Sequence, residues 1–224
     1  MKRRDFSTGL ASLGLGASTL IGPLVARAAE SQAPAPPKAP SDSEYVRLSQ
    51  PLSVEKGKIE VVEFFWYGCP PCFAFEPALD AWQKKLPSDV AFRRVPVAFR
   101  ESYAIHQRLF YAIEAMGKVE ELHRKAFYAI HVDKQRLNTD DTVIAWAASQ
   151  GLDKAKFTET YNSFNVATKV RKATQLQDAY KLAGVPAIGV NGRYYTDGTL
   201  AQNMNRALTV TDQLIAEQRG KAKS

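Results

Sequence analysis

Two stretches with strand character flank one with helical spacing, and the only two cysteines stand where the first strand gives way to the helix. Residues 59–66 (Ile-Glu-Val-Val-Glu-Phe-Phe-Trp) are rich in β-branched and aromatic side chains, and 90–97 repeats that character with its valines and Phe92. Between them, across 70–86, Phe75, Leu79, Trp82 and Leu86 recur at helical spacing. A strand, helix, strand unit of this length favours a parallel pair joined by a right-handed crossover. That places the chain among α/β folds and predicts the Cys69-Pro-Pro-Cys72 segment at the mouth of a helix.

Three positions apart, Cys69 and Cys72 close too small a loop to cross-link distant parts of a fold, so as a staple they contribute little. Thiol exchange is the chemistry that wants this spacing: one exposed thiolate forms a mixed disulfide and a second thiol, one turn deeper, resolves it. Cys69 is the expected attacked and attacking sulfur and Cys72 the resolving one. At a helix N-terminus the unpaired amides and the dipole favour a thiolate, and a stabilised reduced form makes the disulfide oxidising. Pro70 suits the first helical turn, whereas Pro71 removes an amide that could have met the sulfur. A zinc half-site would need further ligands, and His106, His123 and His131 show no ligand spacing to the pair; haem attachment would need His where Phe73 stands. No cofactor and no metal are expected.

Beyond 102 the pattern turns helical. Ile105, Leu109, Phe110 and Ile113 form one stripe and Leu122, Phe127 and Ile130 the next, while 143–148 and 157–164 add two short helices, capped by Asp140 or Asp141 and by Asp153. A helical stretch over 166–182 leads to Gly184-Val-Pro, and then Asn191-Gly192 between two apolar runs predicts a hairpin, since both residues tolerate positive φ. A last helix runs from about 201 to 217. Glu63 falls in mid-strand on the same face as Val61 and Phe65, an awkward place for a carboxylate that is neither paired nor protonated. Phe73 and Phe75 read as core, while Trp66 and Tyr67 suit either the core or an exposed rim.

At the other end, Lys2, Arg3 and Arg4 precede a diluted apolar run that closes at Ala26-Arg-Ala28, the plan of a signal peptide over 1–28. Arg3-Arg4 resembles a twin-arginine signal, and both that route and general secretion stay open. Residues 29–44, rich in Pro and Ala, read as an extended tether before a folded part that begins near Tyr45. Loss of Lys2, Arg3, Arg4, Arg27 and Asp5 with the signal lowers the formal charge from +7 to +4, and so mild a surplus gives no reason to expect a nucleic-acid partner.

Glu63-Phe-Phe-Trp-Tyr-Gly-Cys-Pro-Pro-Cys-Phe-Ala-Phe-Glu76 and Gly184-Val-Pro-Ala-Ile-Gly-Val-Asn-Gly192, two separate motifs in this order, resemble the bacterial periplasmic disulfide oxidase family, DsbA. The resemblance implies a thioredoxin-like fold with an inserted α-helical domain: thioredoxin-like parts at 45–101 and 166–224 and the insertion at 102–165. It implies an oxidase that donates its disulfide to newly exported periplasmic polypeptides, acts as a monomer and is reoxidised by a membrane partner of the DsbB type. It further implies a cis Val185–Pro186 bond whose loop packs beside Cys69 and receives extended substrate, and a buried Glu63 that takes a proton from Cys72 during resolution. Pro70 and Pro71 form the active-site loop; the best-known pattern of the family has His at the position of Pro71, which implies a weaker oxidant here. A reductase or isomerase of the same fold and a holdase for unfolded exported chains are the alternatives.

Overall fold

The computed structural model describes residues 40–55 and 57–221. The signal-peptide expectation for 1–28 and most of the 29–44 tether lie outside them. β2 (Ile59–Phe65) runs parallel to β3 (Val90–Pro96) with α1 (Pro70–Gln83) between them, as the opening strand, helix, strand pattern predicts. The sheet is completed by β4 (Ala187–Val190), antiparallel to β2, by β5 (Tyr194–Asp197), and by a two-residue β1 (Val46–Arg47) on the far side of β5, in the order β1-β5-β4-β2-β3. β1 is too short to carry an alternating pattern, so it is invisible in the sequence. Asn191 and Gly192 join β4 to β5 with φ of 51° and 61°, the paired positive values the hairpin requires.

Alternation along the central strand decides what each face packs against. Val61, with Ile188 and Val190, meets Phe75 and Leu79 of α1 and the apolar side of α7 (Met204–Lys221). Val62, Phe64 and Ala187 point the other way, to Tyr180 of α6 (Phe164–Tyr180), whose ring stacks edge-on against Phe64 at 4.9 Å. That ring lies so close to β4 that a Cβ on Gly189 would come 2.7 Å from it. Between β3 and β4 the chain forms α2 (Ala104–Ala115), α3 (Val119–His131), α4 (Asp140–Ser149) and α5 (Lys154–Tyr161), then α6. Phe65, at the end of β2, reaches into this block and touches Phe110 and Phe127.

Asp153 caps α5 as expected, accepting from the Lys156 amide at 2.7 Å. The cap of α4 is Thr139 and neither aspartate: Thr139 accepts from the Thr142 amide and donates its own amide to Thr142 Oγ1, a reciprocal pair that satisfies two end donors at once. Asp140, one position inside, instead takes the Tyr161 hydroxyl at 2.8 Å and the Arg108 guanidinium at 3.0 Å. Among the described residues no helix is long and apolar enough to cross a membrane.

Candidate active site

Cys69 ends the β2 turn as the N-cap of α1, its backbone extended at φ −93° and ψ 110°. Its sulfur is joined to that of Cys72, with the two Cα atoms 5.3 Å apart. Pro70 and Pro71 are exposed and have no amide hydrogen, so in the first turn the Cys72 N–H alone reaches the Cys69 sulfur, at 3.2 Å, while the Phe73 amide begins the helical ladder on the Cys69 carbonyl. Cys69 is 6% exposed and Cys72 0%, so only the first can be approached from outside, and then only by a small opening. A Cβ at Gly68 would run into the Trp66 indole; glycine there lets that ring lie over the turn, stacked on Tyr103 at 3.8 Å. Trp66 is half-buried and Tyr67 buried, which resolves the open question for both: neither is a free-standing exposed ring. Phe75 is core, whereas Phe73 is half-buried and stacks on His131 at 5.1 Å.

Val185 and Pro186 are joined by a cis bond, and the Val185 carbonyl oxygen lies 3.4 Å from the Cys69 sulfur. The loop and Pro71 line a cavity of about 440 Å³ together with Tyr195, Leu200 and Met204. Its lining is mostly apolar.

Beneath the disulfide the structure gathers charges that lie far apart in sequence. Glu63 is fully buried, and Arg94, its register partner on β3, places Nε 3.0 Å from Oε2. The contact is off the angle of a good hydrogen bond, so neither Glu63 oxygen accepts one from the described residues. The same guanidinium lies 3.7 Å from Glu76 and 3.0 Å from Asp80. Glu76 stands one turn beyond Cys72 on the inward face of α1, and its Oε1 meets His123 Nε2 of α3 at 3.3 Å. The other ring nitrogen of His123 is 2.9 Å from the Tyr67 hydroxyl.

Burial, followed by the charge of Glu76 and against the pull of Arg94, pushes the Glu63 carboxyl up to about 8. Burial also presses Glu76 upward, but the His123 contact and the guanidiniums of Arg94 and Arg124 outweigh it and hold Glu76 below the usual carboxylate range. Burial lowers His123, with Glu76 opposing only in part, and raises the Tyr67 hydroxyl well above its ordinary value. Glu76 is therefore the acceptor, His123 carries its proton on Nε2, and Tyr67 donates to Nδ1. One guanidinium beside two deeply buried carboxylates leaves room for one ionised carboxylate and one neutral one. Although a ligand atom from each of Glu63, Glu76 and His123 falls within 4.8 Å of the others, Arg94 already supplies the cation there, so the trio does not suit a metal.

Of the residues singled out in the sequence, Cys69, Cys72, Val185 and Pro186 come together at the disulfide, while Glu63 lies buried on β2 and is tied through Arg94 to Glu76, one turn beyond Cys72. Glu76, Arg94, Tyr67 and His123 were not singled out as site residues. Arg94 was within reach, since the parallel pairing of the two strands sets it opposite Glu63, and Glu76 follows Cys72 by four positions on a helix. His123 arrives from a helix whose packing has no local signature.

The chain is similar to known proteins over most of its length. The DSBA-like thioredoxin domain matches residues 60–209. The thiol:disulfide interchange protein DsbA of Burkholderia cepacia is 40% identical over 215 residues, covering 96% of this chain and 97% of its own. That of Pseudomonas aeruginosa is 44% identical over 181 residues, covering 80% and 86%. The crystal structure of Pseudomonas aeruginosa DsbA superposes with a TM-score of 0.78 at 43% identity, over 81% of this chain and 95% of that one. With a domain match across most of its length and relatives this similar end to end, the chain belongs to the DsbA-like thioredoxin family.

Proposed function

We propose that this chain is a periplasmic thiol:disulfide oxidase that passes its Cys69–Cys72 disulfide to reduced, unfolded polypeptides after their export. The observation that carries the reading is the placement of the bonded pair at the N-terminus of α1, with the outer cysteine reached through a small opening and the inner one sealed. A substrate thiolate attacks Cys69 Sγ, the bond to Cys72 breaks, and Cys72 leaves with the electron pair. Glu63, neutral through burial, supplies the proton that quenches the Cys72 thiolate in a place water does not reach. A second substrate thiolate then attacks the substrate sulfur of the mixed disulfide and releases Cys69 as a thiolate, favoured by the Cys72 amide and the helix end. The substrate loses two electrons and the cysteine pair gains them. Return to the disulfide runs the Cys72 step backwards, Glu63 taking the proton, with a membrane partner of the DsbB type as electron acceptor.

The cavity beside Pro71 and Val185 suits an extended, apolar segment of substrate, whose backbone can pair with that of 184–186. Oxidised protein is expected to speed the refolding of a reduced multi-disulfide substrate, and the Cys72→Ala variant to accumulate mixed disulfides with it. A protein that suppresses aggregation equally well after both cysteines are replaced is a holdase. One that only reshuffles existing disulfides is an isomerase.

A further inference from the structure

The buried charges beneath the disulfide pose a question of placement: of two carboxylates that must share one proton, which keeps it? Glu63 and Glu76 face a common guanidinium, at 3.0 and 3.7 Å, and Coulomb attraction to Arg94 alone does not separate them strongly. What does separate them is hydrogen bonding. Glu63 accepts none from the described residues, and Glu76 accepts from His123 Nε2. A donor aimed at one carboxylate stabilises its charged form, and in a site this dry the charge then disfavours a second one nearby. His123 is itself held in the donating tautomer by the Tyr67 hydroxyl on its far nitrogen.

We propose that His123 is a positioning residue for the thiol exchange: by donating from Nε2 it fixes the negative charge on Glu76 and so leaves the proton on Glu63, where Cys72 can use it. The proposal rests on the reading of Glu63 as the acid for Cys72. The charged and titratable groups around the ring are Glu76 and Asp80 from α1, Glu63 and Tyr67 from β2 and the turn after it, Arg94 from β3, and Glu120 and Arg124 from α3 itself. Asp80, Arg94, Glu120, His123 and Arg124 all border a surface cavity of about 290 Å³, but Asp80, Glu120 and Arg124 are the more exposed ones among them, and solvent screens those. The hydrogen-bonded neighbour of the ring that can shift the balance is Glu76.

The test follows the two carboxylates directly, by NMR titration of protein labelled at the glutamate carboxyl carbon, with Glu63→Gln and Glu76→Gln assigning the signals. In the unaltered protein Glu63 is expected to titrate far above Glu76. His123→Leu, which removes the donor, and Glu76→Gln, which removes the charge, are each expected to lower the Glu63 midpoint by a pH unit or more, a tenfold loss of proton affinity. His123→Gln, which keeps an N–H in reach, should restore most of it. Because His123→Leu also strips Tyr67 of its partner, Glu76→Gln reaches the same answer without touching the ring. An unmoved Glu63 midpoint in both variants overturns the placement while leaving Glu63 as the acid. The rate at which a small dithiol reduces each oxidised variant is the separate readout: a wild-type rate in Glu63→Gln removes the acid role, and the service of His123 to the reaction with it.

Discussion

Glu63 on β2 and Arg94 on β3 are register partners in a parallel pair, and their side chains meet at 3.0 Å in the interior, beside a second carboxylate that shares the same guanidinium. A cross-strand pair of opposite charge on a sheet surface contributes little, but here neither group has water to fall back on. Burial therefore pushes the Glu63 carboxyl up to about 8, which keeps it neutral over the lower part of the range in which a free glutamate is ionised.

That has a cost in stability with a definite sign. The folded-state value of about 8 lies above the ordinary 4.5, so between the two the native protein binds the proton that the unfolded chain releases. Stability of the oxidised form should fall as pH rises through that window, by up to about 1.4 kcal/mol per unit for one proton. Glu63→Gln holds the neutral shape at every pH and should flatten the slope. Denaturant midpoints taken across the window check this, and an undiminished slope in the variant would refute it.

Removal of the guanidinium is the harsher change. Arg94→Met leaves Glu76 and Asp80 without their shared cation, and an uncompensated buried charge typically costs about 3–5 kcal/mol. The loss should deepen above the Glu63 midpoint, where a second carboxylate ionises. Arg94→Lys should recover only part of it, because a single ammonium cannot meet Glu63 from one nitrogen and Glu76 and Asp80 from another, as Nε and Nη2 of the guanidinium do. Urea unfolding of the two variants on either side of neutral pH separates these outcomes.

Much of this architecture was legible because it is local. The β2, α1, β3 unit, the Asn191-Gly192 hairpin and the stripes of α2 and α3 each follow from spacing within one segment. Glu63 stood out because a carboxylate among Val62 and Phe64 breaks the pattern of its strand. The α4 cap was misread by one position, since Asp140 is a good cap by type and only the reciprocal Thr139–Thr142 pair decides against it. What local pattern does not contain is the angle at which α3 crosses α1. His123 and Glu76, separated by 47 positions, meet through that crossing, and a helical histidine among apolar neighbours looks like any buried histidine until its partners are known.

The first turn of α1 bears on the redox balance. With prolines at 70 and 71, one amide faces the Cys69 sulfur where a different residue at 71 would add another. Pro71→His supplies an N–H and an imidazole that can carry charge, both of which favour the thiolate and with it the reduced form. The reduction potential should rise, by about 30 mV for each 1.4 kcal/mol of added stabilisation. Equilibration with glutathione mixtures measures it, and a fall in potential would show that the imidazole does not reach the sulfur.

Leu200 and Met204, which line the same cavity as Pro186, bear on how substrate is held as distinct from how it is oxidised. Both are half-buried and line the cavity, whose lining does not include either cysteine, so a charge there should leave the sulfur chemistry alone. A small dithiol needs only the opening at Cys69 and should reduce Leu200→Glu and Met204→Glu at close to the wild-type rate. An unfolded polypeptide must lay an apolar segment along the wall, and losing one buried side chain's worth of contact, about 1.5–3 kcal/mol, predicts a tenfold to hundredfold rise in KM for oxidation of a reduced protein substrate. If both substrates slow together, the substitutions have disturbed the Val185–Pro186 loop; if neither slows, polypeptides approach Cys69 from another side and the cavity is not their binding surface.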